Sequence, residues 1–301
     1  MQPVRRSHFA IWARCCCLPL CGWGLSIPVT KLGLQTLPPL TLTAMRFGVA
    51  APLLLIFVIV GRHSIAWRAL PRVAALGVLG IGVGQVSQTF GVAGTSASVG
   101  TIISATIPIF IVFFAALRLR QPVSGLQQIG LLVAFAGIAL VALGHEGETT
   151  SSQTTVGGAT WVLVSALAIA FYYVWSVELT TAYGTATVAA WSTLFGFIAL
   201  IPWTARELWS TSSFHVTAQG SFAAVYLGVV VTVAGLFIWL SLLRVVPARV
   251  AASVQYLQPV VGVVTASALL GDQIGATFVL GVALVLAGLA LTMTSRRPAR
   301  K

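Results

Sequence analysis

The chain has 301 residues, of which 58% are hydrophobic and only 7% charged, with a mean hydropathy of +0.98. A soluble globule carries roughly a quarter charged residues, so this composition excludes one and defines an all-α polytopic membrane protein. The net charge of +12 invites a nucleic-acid partner, but no polar basic domain exists to hold one. In a membrane protein such an excess marks loops facing the cytoplasm.

Apolar runs long enough to span a bilayer occur at 13–34, 39–60, 71–90, 96–117, 124–143, 158–178, 185–204, 219–240, 248–270 and 274–294. In lipid, runs of this length satisfy their backbone groups only as helices, so ten transmembrane helices are expected. The first span follows Arg5 and Arg6 and resembles a signal peptide. It lacks a small-x-small cleavage site, however, and is expected to stay. Cys15, Cys16, Cys17 and Cys21 all lie in it, without metal-ligand spacing, and read as small apolar residues. No metal or other cofactor is expected.

With the N-terminus inside, 14 of the 17 basic residues fall in cytoplasmic loops or tails, and four of the five acids (Glu146, Glu148, Glu207, Asp272) fall outside. The positive-inside rule therefore favours ten spans with both termini cytoplasmic.

A repeat runs through the chain. At a constant offset of 151, Ala97 meets Ala248, Val99 meets Val250, Pro108 meets Pro259, Ala115 meets Ala266, Gly130 meets Gly281 and Gly137 meets Gly288. Spans 4–5 thus recur as spans 9–10. Because each half holds an odd number of spans, the second half starts from the opposite side. Two inverted five-helix repeats, at 9–143 and 157–294, with a basic tail at 295–301, are the architecture of many alternating-access transporters.

WGLSIPVTK at 23–31 and LTAMRF at 42–47 resemble the opening of ten-helix EamA-domain members of the drug/metabolite transporter superfamily. SASVGTIISATIPIFIVFFAAL with a glycine-rich fifth span, and RVAASVQYLQPVVGVVTASALLGDQ with GVALVLAGLAL, resemble the ends of the two copies. The resemblance covers essentially the whole chain. It implies a solute transporter with its site near the midplane, lined by spans 1, 3, 4, 6, 8 and 9. One departure stands out: where members carry a Gly-Glu pair at the ends of spans 4 and 9, this chain has Leu119-Arg120 and Gly271-Asp272.

No Asp or Glu lies deep in a span, and Glu178 sits at the cytoplasmic end of span 6. Proton relays and counter-charges for cationic solutes usually use such acids. The charges that do enter spans are cationic. Lys31 falls near the outer end of span 1, and Arg46 about 10 Å into span 2 at 1.5 Å per residue. Both suit attraction of a carboxylate; the alternative is snorkelling to the interface. Gln85 and Gln88 share a face of span 3, Gln255 and Gln258 a face of span 9, and Thr101 and Ser104 a face of span 4. Together with Trp23, Tyr172 and Trp175 they are candidates to line a cavity, and helix–helix hydrogen bonding is the competing role. Pro28, Pro108 and Pro259 are expected to kink their helices. The paired glycines permit close helix approach.

The reading is a secondary transporter or facilitator of the inner or plasma membrane, not an enzyme. It exports small metabolites such as amino acids, and its partners are the solute and the bilayer, with room for a homodimer and no nucleic acid. Export of hydrophobic drugs is the rival within transport, disfavoured by the glutamines and Arg46. A non-transporting scaffold would lack a solvated cavity.

Overall fold

The computed structural model describes residues 22–61, 64–119, 125–143, 154–210, 216–245, 257–272 and 274–294. The four cysteines, Gln255 and the tail 295–301 lie outside the described residues. Among the described residues all regular structure is helical, as continuous apolar sequence in lipid requires. We number the helices α1 (Ser26–Leu34), α2 (Pro39–Val60), α3 (Trp67–Ala93), α4 (Ala97–Arg118) and α5 (Gly125–Leu143). They are followed by α6 (Val156–Tyr183), α7 (Thr185–Ser210), α8 (Ala218–Leu240), α9 (Leu257–Leu270) and α10 (Ala276–Thr294). Six of these, α2, α3, α4, α6, α7 and α8, are long and apolar enough to cross a membrane. The protein is therefore a multi-pass membrane protein.

Local chemistry sets the ends. Ser96, Thr155 and Thr217 accept hydrogen bonds from the backbone amides of Val99, Gly158 and Gly220, capping α4, α6 and α8. Gly184 (φ +84°) and Gly271 (φ +70°) follow the last residues of α6 and α9 in the left-handed region, which favours glycine. α7 runs to Ser210, beyond the expected end at 204. There Glu207 accepts from the amides of Leu40 (3.2 Å) and Thr41 (2.7 Å) and from the Thr41 hydroxyl. A residue expected in a loop is thus a carboxylate at the N-terminus of α2, where the helix dipole favours it.

Several helices are interrupted. A helical turn at 22–24 breaks at Leu25 before α1 resumes at Ser26. Pro28 has no N–H for the Gly24 carbonyl, which accounts for the break. α4 is broken at Ala105–Thr106, directly before Ile107 and Pro108. Pro259 lies in the first turn of α9, and the residues before Leu257 are outside the described set. α3 and α8 each contain a π-helical stretch, Gly77–Val83 and Leu227–Gly235. Offset by 151, the first falls inside the second.

The principal packing pairs are α5 with α10, α4 with α9, α2 with α7, α3 with α6 and α7, α8 with α1 and α2, α4 with α6, and α9 with α1. α5 and α10 meet through glycines. A Cβ on Gly137 would lie 2.7 Å from the Gly281 carbonyl oxygen, and one on Gly288 would strike the Gly130 carbonyl. These contacts run in opposite order along the two helices, so α5 and α10 are antiparallel. The largest apolar cluster, with Phe47, Ile81, Ile169, Tyr172, Tyr173 and Leu236, lies where α2, α3, α6 and α8 meet.

Candidate functional site

A cavity of about 70 Å³ opens beside this cluster. Arg46, on α2, lies at its polar side and is only 6% exposed. Its Nε donates to Thr232 Oγ1 (2.7 Å) and its Nη1 to Gln85 Oε1 (2.7 Å). Thr232 in turn donates to the Leu227 carbonyl (2.9 Å), five residues back along the π-helical stretch. The widened turn of α8 thus aims the Thr232 hydroxyl at the guanidinium. On α3, Gln85 lies just past the other π-helical stretch. The Arg46 guanidinium also lies 5.8 Å from the centre of the Phe47 ring. Among the described residues no carboxylate pairs with Arg46; Arg118 and Glu178 form an ion pair, 2.6 Å apart.

A guanidinium carries five N–H donors, and the two bonds described leave three of them for something else. Among the described residues, the Ser26 and Tyr173 hydroxyls and the Gln88 and Gln258 side-chain amides line the cavity and make no hydrogen bond. Burying a charge or amide without partners costs free energy, so the arrangement suits an occupant that accepts and donates hydrogen bonds.

Aromatic side chains shape the rest. Trp23 lines the cavity and donates from its indole to the Val231 carbonyl (3.1 Å). Its ring centre lies 5.7 Å from that of Trp239, which lies 5.7 Å from Tyr173. The Tyr172 hydroxyl is within 2.9 Å of Ser192 Oγ. Gly80 admits Tyr172, because a Cβ at that position would overlap the tyrosine.

Of the residues singled out in the sequence, Trp23, Arg46, Gln85, Gln88, Tyr172 and Gln258 line this one cavity. Others do not reach it. Lys31 Nζ donates to the carbonyls of Val92 (3.0 Å), Ala93 (3.3 Å) and Thr95 (2.6 Å), where α3 ends. A cation there completes open carbonyls and complements the helix dipole. Thr101 bonds to the Ala97 carbonyl and packs against Gly262, and Ser104 is buried in α4. Trp175 stacks on Phe171 with ring centres 4.3 Å apart, and the Arg118 guanidinium lies over it at 5.4 Å. The sequence reading missed Ser26, Tyr173 and Thr232. α2, absent from the helix set implied by the resemblance, supplies Arg46 and Phe47.

A multi-pass helical bundle enclosing a small, partly charged cavity belongs to the class of membrane solute carriers. The chain belongs to the EamA-like transporter family, whose model matches residues 10–143 and again 156–294. It is 27% identical over 274 residues to an uncharacterized transporter of Archaeoglobus fulgidus, covering 91% of this chain and 95% of that one. A probable terminal-alkyne amino-acid exporter of Streptantibioticus cattleyicolor is 29% identical over 305 residues, covering 96% of each. The uncharacterized inner membrane transporter YedA of Escherichia coli (strain K12) is 26% identical over 256 residues, covering 83% and 80%. A crystal structure with 17% identity superposes at a TM-score of 0.65, covering 91% of this chain and 93% of the other, which establishes the fold alone.

Proposed function

We propose that the protein is a secondary transporter or facilitator that exports small metabolites, amino acids foremost, by alternating access between two inverted five-helix repeats. The repeats are residues 9–143 and 157–294, followed by the cytoplasmic tail 295–301. Both termini are cytoplasmic, which makes the end of the bundle bearing Lys31 extracellular. One observation carries the reading: a buried arginine with no acidic partner among the described residues, held by Gln85 from one repeat and Thr232 from the other, faces a cavity between them.

Further support is architectural. Exchange α1 with α6, α2 with α7, α3 with α8, α4 with α9 and α5 with α10, and the principal packing pairs map onto one another. Antiparallel crossing of the equivalent helices α5 and α10 fits opposite orientations of the two halves. Transport of amino acids draws on the Streptantibioticus cattleyicolor relative, named as a probable amino-acid exporter, and on the fit of a carboxylate to Arg46. Among the described residues no Asp or Glu lines the cavity, so the protein runs as a uniporter or exchanger rather than through a carboxylate proton relay.

The test is uptake of a metabolite panel into proteoliposomes, with and without a pH gradient. Uptake or counterflow of carboxylate-bearing metabolites that does not need the gradient is expected. Failure of every solute to move overturns the transporter reading, and concentrative uptake driven by the gradient alone overturns the coupling.

A further inference from the structure

At the end of the bundle bearing Lys31, two carboxylates tie the two repeats together, and both come from the second repeat. Glu207, near the end of α7, accepts from the Leu40 and Thr41 amides and the Thr41 hydroxyl at the start of α2. Asp272, just past Gly271 and only 9% exposed, accepts from the Ser98 amide (2.8 Å) in the first turn of α4. Each carboxylate satisfies open N–H groups at a helix start, where the dipole favours its charge. Such charge-assisted bonds are roughly twice as strong as neutral ones.

Next to each tie, an apolar cluster joins the same two repeats. Leu42, which follows Thr41, shares one with Ala223 and Leu227; Ala97, which precedes Ser98, shares another with Ala266. Gln219 of α8 adds bonds to the Leu32 carbonyl and the Gln35 side chain, both at 2.9 Å. This end of the bundle is therefore closed by contacts between repeats, and the two carboxylates are their charged part. Lys31 lies within electrostatic reach of Asp272. Because Lys31 holds the last carbonyls of α3, the α3–α4 turn receives a cation at one helix end and an anion at the other.

In an inverted repeat, a contact that one copy makes at one end has an equivalent made by the other copy at the opposite end. Here that equivalent cannot form, because residues 9–143 contain no Asp or Glu. Arg118 and Glu178 do join the repeats at the opposite end, but that acid again belongs to the second repeat. Their side chains are 34% and 69% exposed, so solvent screens the pair. We propose that Glu207 and Asp272 form a one-sided latch, which holds the bundle closed at the Lys31 end and biases its resting state towards the opposite opening. The inference rests on the alternating-access reading above and deepens it. Two near-equivalent halves would otherwise open to either side at similar free energy, and contacts made in one state alone shift that balance. With the Lys31 end extracellular, a latched exporter waits open to the cytoplasm.

Sided labelling of a cysteine in the cavity tests this. Ser26, which is buried and lines the cavity, becomes the reporter as Ser26→Cys in a full-length chain whose four native cysteines are replaced by serine. A membrane-impermeant charged thiol reagent is applied to intact cells for the outer face and to inside-out vesicles for the cytoplasmic face. The reporter chain is expected to label faster from the cytoplasmic face. Glu207→Gln turns one acceptor oxygen into an N–H donor, and Asp272→Ala removes the acceptor for Ser98. Each is expected to raise labelling from the outer face about tenfold or more, without raising it from the cytoplasmic face. Asp272→Asn, which keeps an acceptor for the Ser98 amide, should retain most of the closure.

A purely structural role for the carboxylates would loosen the bundle and raise labelling from both faces together, which overturns the proposal. So does labelling from the outer face that neither variant increases, or a reporter chain that already labels faster from outside. The two acids lie in different segments, so if one variant does not accumulate the other carries the test. Solute movement in the proteoliposome panel is read separately. A failed latch with working transport leaves the transporter reading standing, so the two failures are distinguishable.

Discussion

Arg46 Nη1 donates to Gln85 Oε1 at 2.7 Å, joining the interior of α2 to the segment of α3 that follows its π-helical stretch. With Thr232 on Nε, the guanidinium's hydrogen-bond partners among the described residues are neutral. Such partners fix its position without neutralising it, so its charge remains available to an anion.

Removing these partners should harm the protein more than their size suggests. Thr232→Val deletes an acceptor of similar shape and leaves a buried Nε–H without a bond. A loss of about 1–3 kcal/mol in stability is expected, together with weaker solute binding. Thermal unfolding of the detergent-purified variant, with and without saturating leucine, reads both. An unchanged melting temperature and unchanged affinity would show that Thr232 does not hold Arg46.

Lys31 should behave differently. Its ammonium completes the carbonyls of Val92, Ala93 and Thr95 and lies outside the cavity lining. Lys31→Met is expected to destabilise the fold by about 1–2 kcal/mol while KM for transported solute stays within about twofold. A raised KM at unchanged stability would return Lys31 to the solute path.

Two adjacent glycines give a matched pair. Nothing lies within 4 Å of a Cβ placed on Gly157, whereas one on Gly158 would strike the Gly94 backbone. Gly157→Ala should stabilise α6 by about 0.5–1 kcal/mol through helix propensity, and Gly158→Ala should lower stability and yield. Equal effects would mean that α6 does not approach Gly94 closely.

The Arg118–Glu178 pair is short, at 2.6 Å, yet its side chains are 34% and 69% exposed. Solvent screens such pairs, and about 1 kcal/mol is the upper range of their worth. Glu178→Gln is accordingly expected to leave the melting temperature nearly unchanged at physiological salt. A drop of many degrees would show that the pair ties α4 to α6 more strongly than its exposure allows.

Much of this was readable in the chain. Unbroken apolar runs dictate helices because lipid offers no alternative partner for the backbone, and the offset of 151 aligned the glycines that meet between α5 and α10. Arg46 declared itself because a charge at that depth needs a use. The role of Lys31 was not readable, since which carbonyls a long side chain reaches depends on how α1 packs beside α3. Thr232 and Tyr173 were missed for a related reason. Threonines and tyrosines are common in membrane helices, and only the π-helical turn of α8 and the packing around Trp239 aim these two at the cavity. The extent of α7 escaped because Arg206 and Glu207 read as loop charges until Glu207 is seen capping α2.

The central claim is that Arg46 binds the solute's anionic group in a cavity between the halves. Leucine counterflow in proteoliposomes, compared between wild type and Arg46→Gln at equal reconstituted amounts and equal thermal stability, tests it most directly. A fall in kcat/KM of about tenfold to a hundredfold is predicted, the range for losing hydrogen bonds to a charged group. Wild-type counterflow undiminished in Arg46→Gln would contradict the account.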